Sequence, residues 1–95
     1  MNIQNHFSDT ALLSLAELKT RLEQDSKLDA RKQREMISAT NTTAKWLTLP
    51  AEMIPASARF LRGKFQEIHP GHHHVTKRRV QNIKSLILSA MRSQG

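Results

Sequence analysis

The sequence predicts an all-α domain folded as a compact four-helix bundle. Three observations predict it. Four segments carry apolar residues at helical spacing, short connections separate them, the second and third holding proline or glycine, and nowhere does an apolar run alternate with period two. Ninety-five residues suffice for one small domain, which at this length hides only about 60 to 65% of its unfolded surface.

Residues 1–12 show no period and are expected to be a flexible lead-in, with Phe7 able to touch the body. Residues 13–93 are expected to form the helical domain. Ser14-Leu-Ala-Glu17 is a capping-box pattern, in which hydroxyl and carboxylate each satisfy an orphan backbone N–H. A first helix from about Leu15 to Glu23 follows, with Leu15, Leu18 and Leu22 inward. Asp25 to Asp29 reads as a turn, and Asp29 as the N-cap of a longer second helix ending near Leu47. Ile37, Thr40, Ala44 and Leu47 are expected on its inner face, with Ser38, Asn41, Thr42 and Lys45 outward. The Thr40-Asn-Thr-Thr43 run forms helix poorly, so tertiary packing must hold it.

Leu49-Pro50 ends that helix, and Pro55 suits the first turn of a third. Phe60, Leu61, Phe65 and Ile68 should carry its burial, while Gly63 in its interior suggests close approach by a neighbouring helix. Trp46, Met53 and Ile54 are expected to pack around the second-to-third connection. His69-Pro-Gly-His is the next breaker, and Thr76 is a natural N-cap for the fourth helix. There Val80, Ile83, Ile87, Ala90 and Met91 form the apolar stripe, and Arg78, Gln81, Asn82, Ser85 and Arg92 point the other way.

Net charge is +7, and it is regional: residues 1–25 hold two bases and four acids, residues 26–95 thirteen and four, with no acid after Glu67. Such a balance points to a polyanionic partner. The absence of cysteine excludes disulfides and thiolate metal sites and is compatible with a reducing cytoplasm, the expected location. The longest apolar run is Leu86-Ile87-Leu88, so no membrane partner is expected. Asp25, Asp29, Glu35, Glu52 and Glu67 fall in different segments, and neither a catalytic constellation nor a small-molecule substrate is expected.

Lys77, Arg78 and Arg79 begin the fourth helix, where positive charge opposes the helix dipole. A phosphate there would be drawn by the free N–H groups and by these cations. Gln81 and Asn82 each offer a donor beside an acceptor, the pattern that reads adenine, although Asn82 equally suits bracing a nearby loop. His69, His72, His73 and His74 are possible metal ligands, but three consecutive rings in a Pro-Gly loop converge poorly, and no metal or other cofactor is expected. Phosphate contact or a plain polar loop are the alternatives for them.

With these residues laid out, the chain resembles the N-terminal core-binding (SAM-like) domain of tyrosine recombinases of the phage-integrase family. The resemblance rests on Leu13-Ser-Leu-Ala-Glu-Leu18, on Ala44-Lys-Trp-Leu47 before Leu49-Pro-Ala-Glu-Met-Ile-Pro55, on Phe60-Leu-Arg62, and on Val75-Thr-Lys-Arg-Arg-Val-Gln-Asn82 leading into Ile83-Lys-Ser-Leu86. It implies a domain that clamps double-stranded DNA with its second and fourth helices toward the major groove, within a parent protein that oligomerises on DNA. The implied contacts are Lys77, Arg78, Arg79, Gln81, Asn82, Lys84 and Ser85 on the fourth helix, and Asn41, Thr42 and Lys45 on the second. It further implies that strand cleavage belongs to a C-terminal catalytic domain absent from this chain, which contains no tyrosine. The triple histidine is no mark of that family. A small basic domain docking on an acidic protein, or a free-standing nucleic-acid-binding regulator, is the alternative reading of the same charges.

Overall fold

Ser14 opens the first helix as its side-chain chemistry requires. Its hydroxyl accepts from Glu17 N–H at 3.2 Å while Glu17 Oε1 accepts from Ser14 N–H at 2.9 Å, closing the capping box. The computed structural model describes residues 13–94; the expected lead-in, residues 1–12 with Phe7, lies outside the described residues. Among the described residues the protein is all-helical. Its helices are α1 (Leu15–Gln24), α2 (Ala30–Leu47), α3 (Ala58–Gln66) and α4 (Lys77–Gln94), with short 3-10 turns at Ala51–Met53 and Pro70–His73.

Asp29 caps α2 by accepting from Arg31 and Lys32 N–H, and Gln33 reaches back to donate to the Leu22 carbonyl at 2.7 Å, satisfying the end of α1. α4 is the central element, packing on α1, α2 and α3. Leu15, Leu18 and Leu22 of α1, Leu61 and Phe65 of α3, and Val80, Ile83, Ile87 and Ala90 of α4 form one buried cluster. The far end of α4 is tied down as well: Gln94 donates to Asp25 Oδ2 at 2.7 Å.

The inner stripe of α2 matches expectation at Thr40 and differs elsewhere. Met36, Ala39, Thr40, Thr43 and Trp46 are buried, whereas Ile37, Ala44 and Leu47 lie at the border of the core. Threonine can go inside because each hydroxyl bonds back to its own helix, Thr40 to the Ile37 carbonyl at 2.7 Å and Thr43 to the Ala39 carbonyl at 2.8 Å. Burial then leaves no orphaned donor. Phe60, Ile68 and Met91 are likewise only partly buried.

Pro55 does not start α3. Residues 54–56 stay extended against the entry to α1: Leu15 N–H donates to the Ile54 carbonyl at 2.8 Å and Ala56 N–H to the Leu13 carbonyl at 2.6 Å, forming an isolated antiparallel bridge between Ser14 and Pro55. The flanking residues supply these bonds, so the missing proline N–H is immaterial. The helix begins instead behind Ser57, whose hydroxyl accepts from Phe60 N–H. Gly63 marks no close approach either, since a Cβ there would meet no atom within 4 Å. At the second-to-third connection Ile54 is buried and Trp46 is 8% exposed, but Met53, expected to pack, is 68% exposed. The tight 3-10 turn directs Ile54 inward and Met53 out.

Candidate nucleic-acid interface

The Thr76 hydroxyl starts α4 by accepting from Arg79 N–H at 3.1 Å. With the buried stripe fixing its rotation, about 100° per residue divides the polar positions into three strips. Arg79, Asn82 and Ser89 lie on the flank toward α2. Arg78, Gln81, Ser85 and Arg92 form the solvent ridge, and Lys77 and Lys84 lie on the flank away from α2. All the expected α4 contacts are exposed except Lys84, which is half-buried.

α2 completes the site. A groove between the two helices is lined by Lys32 and Glu35 from α2 and by Arg79, Asn82, Ser85, Leu86 and Ser89 from α4. A second cleft joins it at Arg79, lined by Thr42, Lys45 and Trp46 from the end of α2, by His72, His73 and His74 from the histidine turn, and by Val75. Thus Asn82 and Ser85 line the first depression, Thr42 and Lys45 the second, and Arg79 lines both. Gln81 and Arg78 stand on the ridge beside them. Asn41, Lys77 and Lys84 are not brought to either: Asn41 lies about a quarter turn around α2 from Thr42.

Charge is uncompensated along this face. The ion pairs among the described residues are Arg31–Glu35 at 3.4 Å and Lys64–Glu67 at 3.7 Å, so Lys77, Arg78, Arg79, Lys84 and Arg92 join neither. Glu35 is the one acid lining the groove, and Arg31 already engages it. Asp25 carries the resolved pKa shift and lies at the opposite end of α4: hydrogen bonds from the Gln94 amide and then from Lys27 N–H hold its carboxyl below the ordinary value.

No family model, curated protein or solved structure matches the chain. The geometry therefore stands alone. It offers amide, hydroxyl, ammonium and guanidinium donors on a rigid helix pair, an arrangement able to hold phosphates and to present paired donors and acceptors to base edges. Among the described residues no three His, Cys, Asp or Glu side chains are grouped to hold a metal ion, and no helix is long and apolar enough to cross a membrane.

Sequence reasoning missed Lys32, Glu35 and Ser89 as groove residues. The signal was available: Glu35, Thr42 and Lys45, at spacings of seven and three, share one face of α2, as Arg79, Asn82 and Ser89, at spacings of three and seven, share one face of α4. Pairing the two flanks required knowing which face of each helix is buried.

Proposed function

We propose that this chain is a double-stranded-DNA-binding domain of the core-binding, SAM-like type found in tyrosine recombinases, gripping DNA through α4 and the adjoining end of α2. One observation carries the reading: a helix buried along Val80, Ile83, Ile87 and Ala90 leaves Arg78, Gln81, Asn82, Ser85 and Arg92 exposed on its other side. Arg78 to Ser85 spans about 10 Å of helix axis. That length suits a major groove about 12 Å wide, with Arg92 left for the flanking backbone.

In this assignment the domain supplies grip and part of the site selection, while strand cleavage and rejoining belong to a catalytic domain outside this sequence. The test is fluorescence anisotropy of a short labelled duplex with the purified chain. Saturable binding that Arg78→Ala and Asn82→Ala weaken supports the reading; no binding at tens of micromolar favours docking on an acidic protein instead.

A further inference from the structure

We propose that the cleft walled by Lys45, His72, His73, His74 and Arg79 is a phosphate-binding site whose ligand is a backbone phosphodiester of the duplex; the identity of that ligand rests on the DNA-binding reading above. Three separate elements bring these donors together: the last turn of α2, the histidine turn, and the first turn of α4. No carboxylate lines the cleft. The acids in the two adjoining depressions, Glu35 and Glu67, are already paired with Arg31 and Lys64.

The histidine turn is held for use. His73 rests against Trp46 with ring centroids 5.7 Å apart, which fixes its imidazole on a nearly buried wall. His74 has φ 56°, a left-handed conformation that favours glycine, and its N–H closes the turn onto the Pro70 and Gly71 carbonyls. A side chain at such a position carries local strain that a glycine would release; Thr48, the left-handed cap of α2, carries the same, so the donors of the cleft and not the strain point to the ligand. Each imidazole presents at least one N–H donor in either protonation state, so the site complements the permanent charges of Lys45 and Arg79 with directional hydrogen bonds. Arg79 lines both this cleft and the α2–α4 groove. A strand whose bases face Asn82 and Ser85 would therefore carry its backbone past the histidines.

The experiment uses the whole chain with inorganic phosphate and a labelled duplex as probes, comparing wild type, His74→Gly, Lys45→Ala and Arg78→Ala. Trp46, the single tryptophan, reports locally through its indole N–H resonance. Phosphate is expected to shift that resonance saturably in wild type and not in Lys45→Ala. His74→Gly is expected to raise Tm by about 4 °C or more, because strain is relieved, while weakening duplex binding several-fold. Loss of affinity with gain of stability cannot come from misfolding. An unmoved indole resonance in phosphate overturns the site. If Arg78→Ala weakens duplex binding and His74→Gly leaves it unchanged, the cleft is not a phosphate grip although the DNA reading stands. If wild type binds phosphate but no duplex, the DNA reading falls and the phosphodiester ligand falls with it.

Discussion

The salt dependence of duplex binding can be worked from the bases this fold leaves free. Lys32, Lys45, Arg78, Arg79 and Arg92 lie on or beside the two depressions that Arg79 lines and take no part in either ion pair. If each neutralises one phosphate, log K falls against log salt with a slope of about −4.5, from roughly −0.9 per contact. Raising salt from about 50 to about 200 mM then weakens binding about 500-fold. Arg78→Ala should flatten the slope by about 0.9, leaving a loss of about 150-fold over the same range. Anisotropy titrations at four or five salt concentrations measure both slopes. A slope shallower than about −1 in wild type, or parallel lines for the two proteins, would refute the assignment of these bases to phosphates.

Further outcomes follow from the packing. Gly63→Ala should stabilise the protein by about 0.5 to 1 kcal/mol, since the glycine is mid-helix and its Cβ would meet open space; a lowered denaturation midpoint would show an unseen constraint there. Ser14→Ala removes half of the capping box and should cost about 1 kcal/mol in urea unfolding. Ile87→Ala, at a fully buried position, should cost about 2 to 5 kcal/mol by the same measurement, and a loss under about 1 would contradict its place in the core. Asp25, held below the ordinary carboxylate value by Gln94, contributes stability that is present above the unfolded pKa and is lost as pH falls through the folded one. Thermal melts of Gln94→Ala should therefore show a shallower acid decline than wild type below about pH 4; parallel declines would discount the Gln94 bond.

The helices themselves were legible from short-range chemistry. Ser14 with Glu17, Asp29 and Thr76 announce three helix starts, and each of the three caps forms. The stripes of α1 and α4 were legible because leucine, isoleucine and valine at helical spacing leave little choice of face. The stripe of α2 was legible only at Thr40. Thr43, expected on neither face, is buried because its hydroxyl is satisfied within the helix, and hydropathy alone gives no credit for that. The start of α3 was misplaced because the alternative use of residues 54–56, bridging to Leu13 and Leu15, is a long-range pairing invisible in local preference. For the interface, the outward face of α4 could be read directly. Which of its flanks meets α2, and that Trp46 and the histidine turn wall off a cleft beside Lys45, depend on tertiary contact and emerged only with the fold.

The central claim is that the polar face of α4, with its neighbours on α2, is the surface that meets duplex DNA. Backbone and side-chain amide chemical-shift mapping during titration with a short duplex tests it most directly. The account predicts the largest changes at Arg78, Arg79, Gln81, Asn82 and Ser85 and at Thr42 and Lys45, with the Gln81 and Asn82 side-chain amides moving in step. Changes concentrated instead on α1 or on the outer face of α3, with the α4 resonances unmoved, would contradict it.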